Sequence, residues 1–209
     1  MNLTFSSREL RDLAVAWVVL GVAFAIFFAG GGSRALSMLA SEGLVRPLLV
    51  SLLTAGLGFL LHELAHKVVA VRFDQVAEFR ADYNMLFLAV MSALIGFLFA
   101  APGAVHHRGR LTKRQHGLIA LAGPVTNGLL ALVFAPIFVA GLLVGSPLLS
   151  LVGSRGVAIN LFLAAFNLVP IGSLDGRTVL DWSKGVFALT FLPAAALAIY
   201  VVFVLGVGF

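Results

Sequence analysis

The residues best suited to chemistry in this sequence form the segment His62-Glu63-Leu64-Ala65-His66, an H-E-x-x-H pattern. On a helix, positions i and i+4 lie one turn apart on the same face, so both imidazoles can reach one metal ion. Neutral imidazole suits zinc, and a hydrolytic zinc site needs a third protein ligand and an open position for water. Glu63 is offset by about 100° around the helix. It is therefore placed to take a proton from that water as a general base.

The setting of this segment is apolar. No charged residue occurs from Pro47 to Leu61, and two histidines and a carboxylate then follow within five positions. An ionised side chain inside a membrane helix costs about 2.5–3.5 kcal/mol on insertion scales, so residues of this kind are functional by default. We therefore interpret His62 and His66 as metal ligands and Glu63 as a catalytic base, rather than as an accidental spacing.

The composition indicates a membrane protein. The chain has 209 residues, of which 61% are hydrophobic and 11% are charged, whereas a soluble domain carries about 25% charged residues. Several apolar runs approach or exceed the length that crosses a bilayer. We expect an all-α polytopic membrane protein with about five to six transmembrane helices. No polar stretch is long enough for a further soluble domain, so residues 1–209 are expected to form a single integral-membrane domain.

The charge and the cysteine count narrow the partners and the metal ligands. The net charge of +5 is assigned to cytoplasmic loops that face anionic lipid, because basic loops of membrane proteins lie on that side. The expected partner of these charges is the lipid bilayer and not nucleic acid. The chain contains no cysteine, so a zinc site must be built from histidine and carboxylate ligands.

The apolar runs predict membrane spans over residues 13–29, 44–71, 117–143, 157–171 and 186–209. Residues 145–156 and 175–184 are interpreted as loops between spans. Residues 72–84 alternate charged and apolar side chains, which is typical of an interfacial strand pair or surface helix. Residues 85–101 are at the lower limit for crossing a bilayer, so this segment either spans or forms a re-entrant loop.

The third metal ligand is less certain from the residues alone. Asp175 follows a span that Pro170 should end, because proline breaks a helix interior. The chain could then turn back so that this carboxylate faces the site, although an ordinary loop aspartate fits the same pattern. His106 and His107 are competing ligands, but adjacent residues on a basic loop more often stay in water.

Three segments in this order resemble the motifs of the site-2 protease family of intramembrane zinc metalloproteases. They are His62-Glu63-Leu64-Ala65-His66, Ala122-Gly123-Pro124-Val125-Thr126-Asn127, and Asn167-Leu168-Val169-Pro170-Ile171-Gly172-Ser173-Leu174-Asp175-Gly176. The family pairs an HExxH helix with a GPxxN helix and an NxxPxxxLDG segment. The chain resembles a compact form of the family, without a PDZ-like or cystathionine-synthase-like domain.

The resemblance implies that His62, His66 and Asp175 ligate Zn²⁺ and that Glu63 activates water. It also implies that Asn167 binds the substrate backbone or a developing oxyanion, with Asn127 as a second polar contact. The expected function is hydrolysis of peptide bonds in transmembrane segments of other membrane proteins, in regulated intramembrane proteolysis. The alternative is a membrane transporter or ion-binding protein that uses the intramembrane His/Glu/Asp cluster.

The distribution of basic residues predicts the topology. If the N-terminal segment with Arg8 and Arg11 is cytoplasmic and residues 85–101 do not cross the membrane, segments 67–80, 108–114 and 177–184 all lie on the cytoplasmic side. Asp175 can join the two histidines only if an even number of crossings separates them, which also favours a re-entrant segment. We therefore expect a plasma-membrane protein whose active site lies nearer the cytoplasmic face.

Overall fold

The computed structural model describes residues 3–32, 34, 35, 37, 43, 45–99 and 102–208. The helices are α1 (Ser7–Phe28), α2 (Val45–Arg72), α3 (Tyr83–Leu94), α4 (Lys113–Leu143), α5 (Pro147–Asn167), α6 (Asp175–Trp182) and α7 (Lys184–Val204). The strands are β1 (Val76–Ala81) and β2 (Gly103–Arg108), which form a two-stranded sheet. Among these residues, the helices α1, α2, α4, α5 and α7 are long and apolar enough to cross a membrane. The chain is thus an all-α polytopic membrane protein, as expected.

The chain folds as two compact units. The first unit comprises Thr4–Leu60 and Glu78–His106, and the second comprises Leu61–Ala77 and His107–Phe209 with the first three residues. The single integral-membrane domain expected over residues 1–209 stays a prediction.

The first unit is organised by two buried carboxylates on α1. Glu9 accepts a hydrogen bond from the Phe79 backbone N–H (3.0 Å) and Asp12 accepts one from the Ala81 backbone N–H (3.3 Å). These alternate N–H groups point to the same edge of β1, and backbone donors inside an apolar protein need acceptors. Residues 76–81 thus form a strand and not a surface helix, but the strand pairs with β2 and not with a second strand inside residues 72–84.

Helix α3 lies in a segment whose two ends, at Asp82 and Pro102, are held together. Asp82 caps the helix by accepting from the backbone N–H groups of Asn84 and Met85, both at 3.0 Å. The Asp82 backbone N–H donates to the Pro102 carbonyl at 3.0 Å, next to the paired strands. The helix has 12 residues, whereas a transmembrane helix needs about 20. Residues 100 and 101, at the end of this segment, lie outside the described residues.

Two segments of the second unit differ from the loops that the sequence predicts. The predicted loop over residues 145–156 is helical, because α5 begins at Pro147. Ser146 caps this helix by accepting from the Leu149 backbone N–H at 3.4 Å, and proline is well suited to the first helical position. The predicted loop over residues 175–184 contains the amphipathic helix α6.

The helices of the second unit leave large apolar side chains outside. Leu132 on α4 is 70% exposed, and Leu189 and Phe203 on α7 are 78% and 80% exposed. Apolar surface of this extent is costly in water and is satisfied by lipid chains. The exposed faces therefore agree with the membrane interpretation of the composition.

Candidate metal centre

The two histidines of the H-E-x-x-H segment face each other from one turn of α2. Their Nε2 atoms are 2.9 Å apart, and only 5% of His62 and 8% of His66 is exposed. The i, i+4 spacing on a continuous helix produces this convergence without any further element. The prediction that both rings share one face is thus met in the structure.

Asp175 joins the histidines from the first position of α6. Its Oδ2 atom lies 3.3 Å from His62 Nε2 and 3.4 Å from His66 Nε2. The helix α5 ends at Asn167, three residues before Pro170, and the chain reverses before α6 begins. Val179, one turn after Asp175, packs with Leu168 and Ala120 in a buried apolar cluster. This cluster holds the face of α6 that carries the carboxylate.

The three side chains fit a zinc ion. Their ligand atoms lie within 4.8 Å of one another, and no other such group of three or more occurs in the described part of the chain. Tetrahedral zinc with bonds of about 2.0–2.2 Å separates neighbouring ligand atoms by roughly 3.3–3.6 Å. The two carboxylate-to-imidazole distances lie in this range. The 2.9 Å between the two Nε2 atoms is shorter, so the imidazoles must separate by about 0.4 Å to hold the ion. Two imidazoles with one carboxylate are a donor set of hydrolytic zinc sites.

The Asp175 carboxyl is held as an anion. Burial alone would raise the pKa of this group, but the adjacent imidazoles of His66 and His62 outweigh it and lower that pKa to about 2. An ionised carboxylate binds a divalent cation without first losing a proton. The group is therefore ready to act as a ligand at neutral pH.

The second ring nitrogen of each histidine has a fixed partner on α4. His66 Nδ1 donates to the Ile119 carbonyl at 2.7 Å, and His62 Nδ1 lies 2.6 Å from Asn127 Oδ1. With a proton on Nδ1, each Nε2 presents its lone pair toward the shared site. Partners of this kind set the tautomer and ring orientation of metal-binding histidines.

Gly123 lets α4 approach the imidazoles. A Cβ atom at this position would clash with Nε2 of both His62 and His66. Only a residue without a side chain leaves room there for the ring nitrogens and for an ion between them. The close packing of α4 against the two imidazoles therefore requires a glycine at position 123.

The other residues expected in the site occupy different positions. Glu63 is buried, with 8% of its surface exposed, between the two histidines in sequence. Asn127 is fully buried behind His62. Asn167 is half-buried at the end of α5, where its Nδ2 donates to the Leu163 carbonyl of the same helix at 2.9 Å. Its substrate-binding role, like that of Asn127, stays a prediction.

The competing histidines lie outside the ligand cluster. His106 and His107 are on β2, and the ring of His107 packs edge-on against His116 with centroids 5.1 Å apart. Asn160, in contrast, is a buried residue of the site that the motifs do not include. Its signal in the sequence is that it is the one polar side chain within residues 157–166.

Curated relatives agree with this chemistry. A Methanocaldococcus jannaschii protein named "Putative zinc metalloprotease MJ0611" is 39% identical over 203 residues, which cover 95% of this chain and 97% of the relative. A Bacillus subtilis protein, YwhC, has the same designation and is 32% identical over 145 residues, covering 62% of this chain and 66% of that protein. No protein-family model matches the chain. No solved structure matches it either.

These relatives and the ligand geometry identify the cofactor. The two histidines and the carboxylate form a cluster able to bind a metal ion, and both relatives are named for zinc. The cofactor is therefore Zn²⁺. The transporter alternative is not favoured, because both relatives are named as metalloproteases.

Proposed function

Because this chain belongs to the zinc metalloprotease family of these relatives, we propose that it is an intramembrane protease of the site-2 type. Its substrates are transmembrane segments of other membrane proteins, which it cleaves in regulated intramembrane proteolysis. The observation that carries this proposal is the position of the ligand cluster on a helix that is apolar enough to cross the membrane.

That helix, α2, has 28 residues and contains an 18-residue stretch with a mean hydropathy of 1.8. At a rise of about 1.5 Å per residue, His66 and His62 lie roughly 9 and 15 Å before its last residue. The hydrocarbon core of a bilayer is about 30 Å thick. A site at this depth is reached by peptide bonds that lie within a membrane, which favours a transmembrane substrate over a soluble one.

In the proposed mechanism, His62, His66 and Asp175 hold the ion. Zinc bound there supplies a Lewis acid that lowers the pKa of a water molecule and polarises the scissile carbonyl. Glu63 takes the proton of the attacking water and later gives it to the leaving amine. Glu63 is buried and lies on the same turn of α2 as the two histidines, which supports this role.

A peptide bond inside a transmembrane helix is shielded by its own hydrogen bonds, so the substrate must unwind before cleavage. We assign Asn167 to hold the unwound backbone or the oxyanion. Its position at the last turn of α5, half-buried and eight residues before Asp175 in the motif, supports this assignment. To reach a substrate carbonyl, its amide must exchange the bond to Leu163 for one to the substrate.

We also propose that the protein lies in the plasma membrane with its active site nearer the cytoplasmic face. Helix α3 then belongs to a re-entrant hairpin rather than a span, which is supported by its 12 residues and by the Asp82–Pro102 hydrogen bond that closes the segment. Two crossings, α4 and α5, then separate the histidines from Asp175.

The experiment that tests the function compares wild-type protein with the Glu63→Gln variant on a reporter that carries a transmembrane segment. The variant should keep zinc and lose cleavage by at least about 100-fold, the lower end for loss of a general base. Asp181→Asn, a matched carboxylate-to-amide change at an exposed position of α6, should leave cleavage unchanged. If the protein cleaves a soluble peptide but not the membrane-inserted reporter, the proposal of an intramembrane substrate is wrong. The protein would then still be a metalloprotease.

A further inference from the structure

Three hydrogen bonds connect His62 to a backbone carbonyl on α5. His62 Nδ1 lies 2.6 Å from Asn127 Oδ1, Asn127 Nδ2 donates to Asn160 Oδ1 at 3.0 Å, and Asn160 Nδ2 donates to the Gly156 carbonyl at 2.9 Å. Neither asparagine has any exposed surface. We call this series, from Gly156 through the two asparagines to His62, the amide relay.

The amide relay has one direction, because its first member can only accept. The Gly156 carbonyl has no proton to give, so Asn160 must turn its Nδ2 toward it. Asn160 Oδ1 then faces Asn127 and accepts from its Nδ2. Asn127 in turn presents Oδ1 to His62. An amide oxygen can only accept, so the proton must be on His62 Nδ1 and the lone pair on Nε2.

We propose that Asn160 is a positioning residue of the zinc site: it acts through Asn127 to fix the tautomer and ring orientation of His62. This inference rests on the proposed role of His62 as a ligand. His66 does not need a relay, because its Nδ1 donates directly to the Ile119 carbonyl. The two ligands therefore reach the same tautomer by different routes, and both routes start at a backbone carbonyl.

Burial makes the direction hard to reverse. Turning either amide around would place two acceptors or two donors against each other at about 3 Å. A buried polar group that loses its partner costs about 1–3 kcal/mol, and an apolar membrane helix offers no water as a substitute. The direction of the three hydrogen bonds is therefore fixed by the pairing of donors with acceptors.

The test uses purified protein and two measurements of metal binding. One is zinc affinity by competition with a chelator, and the other is the visible spectrum of the Co²⁺-loaded protein, which reports ligand geometry. The variants are Asn127→Leu, Asn160→Leu and Asn127→Asp. Ser154→Ala is the matched control, because this serine also bonds a backbone carbonyl of α5, that of Leu151 at 3.2 Å, without belonging to the amide relay.

Asn127→Leu should weaken zinc binding about 10–100-fold, the range for loss of a partner behind a ligand. Asn160→Leu should weaken it by about tenfold and shift the Co²⁺ spectrum in the same direction. Ser154→Ala should stay within about threefold of wild type. Asn127→Asp should also keep zinc affinity within about threefold, because a carboxylate still accepts from His62 Nδ1. Its second oxygen then meets Asn160 Oδ1 without a proton between them, so this variant should lose thermal stability.

The decisive comparison is between Asn127→Asp and the double variant Asn127→Asp/Asn160→Leu. A carboxylate accepts through both oxygens, so in the Asn127→Asp background the direction set by Asn160 no longer matters. There, Asn160→Leu should weaken zinc binding by less than about twofold. If Asn160 only stabilised the fold, its replacement would weaken zinc binding equally in both backgrounds. The double-mutant cycle therefore distinguishes a positioning role from a structural one. An undiminished effect of Asn160→Leu there, or none in the wild-type background, overturns the proposal.

A measurement on the unaltered sequence keeps the test valid if a leucine variant does not fold. In zinc-free protein with ¹⁵N-labelled histidine, the nitrogen spectrum should show a proton on His62 Nδ1, and a neutral His62 ring with Nδ1 unprotonated and its proton on Nε2 refutes the amide relay. His62→Ala separates this failure from that of the proposed function. If that change leaves zinc affinity intact, the ligand assignment is wrong, whatever the asparagine variants show.

Discussion

The two halves of the metal centre are built in different ways. His62 and His66 come from a single turn of α2, so their convergence follows from helix geometry alone. Asp175 depends on the end of α5, a chain reversal and the packing of α6. One half is therefore local and the other is a product of tertiary structure. The convergence of the two rings should withstand changes elsewhere in the fold, although their Nδ1 partners and the space for an ion come from α4. The position of the carboxylate should respond to small shifts of α6.

The largest effect should come from removing ligands in either half. His62→Ala, His66→Ala and Asp175→Ala should each reduce zinc affinity beyond the roughly 10–100-fold expected for a partner behind a ligand, and each should abolish cleavage. Zinc per chain, measured by atomic absorption after dialysis, should fall from about one to near zero for the histidine variants. Because the histidine pair survives in Asp175→Ala, this variant should retain the most residual zinc.

The competing histidines are the control for this comparison. His106→Ala and His107→Ala should leave zinc content and cleavage nearly unchanged, because neither side chain belongs to the ligand cluster. Loss of zinc in these variants with retention in Asp175→Ala would reverse the ligand assignment.

The same division explains how much of the site could be predicted. The spacing within residues 62–66 was sufficient for the local half, because i, i+4 proximity does not depend on the rest of the fold. Asp175 was not determined by its own surroundings, and only the motif that contains it distinguished it from a loop aspartate. The amide relay has no spacing rule, since Asn127 and Asn160 meet only when α4 packs on α5.

In the fold, too, features set by local sequence could be predicted and features set by distant contacts could not. Hydropathy located the five long helices, because the need to bury backbone polar groups in lipid leaves few alternatives. The start of α5 was missed, although Ser146 followed by Pro147 is a strong helix-start signal. Helix α6 was missed because it is short and amphipathic, so hydropathy does not report it. The strand β1 could not be chosen over a surface helix, since its partners, Glu9 and Asp12, are distant in sequence.

Asp175 can reach His62 and His66 only if the chain between them crosses the membrane an even number of times. With single cysteines in this cysteine-free chain, Arg110→Cys should be protected from an impermeant thiol reagent in intact cells and labelled after permeabilisation. Val144→Cys, which is 69% exposed between α4 and α5 in the native chain, should be labelled from outside as the matched control. External labelling at position 110 would contradict the re-entrant hairpin.

Gly123→Ala should disturb the local half without replacing either histidine. Its methyl group would lie against Nε2 of both His62 and His66, the two atoms proposed to bind the ion. We expect zinc affinity to fall by about 100-fold, as for a severe change next to the ligands. Gly128→Ala on the same helix has open space for its methyl group and should be neutral or slightly stabilising. Equal zinc affinities for the two variants would show that the spacing at Gly123 is not needed.

Gly176→Ala should have a smaller effect, because it acts on the tertiary half through backbone position. A Cβ atom at Gly176 would clash with the Leu168 carbonyl oxygen, so the first turn of α6 must move away from the end of α5. Asp175 is the adjacent residue and moves with it, while the histidine pair keeps its place. A displacement of about 1 Å can cost 100-fold in rate, so cleavage should fall more than zinc affinity, for which we expect about tenfold.

Gly185→Ala, where the nearest atom lies 4.0 Å away, is the matched control and should leave both cleavage and zinc affinity unchanged. If Gly176→Ala lowers thermal stability but leaves cleavage and zinc affinity unaltered, the carboxylate tolerates movement of α6, and the contrast between the two halves fails.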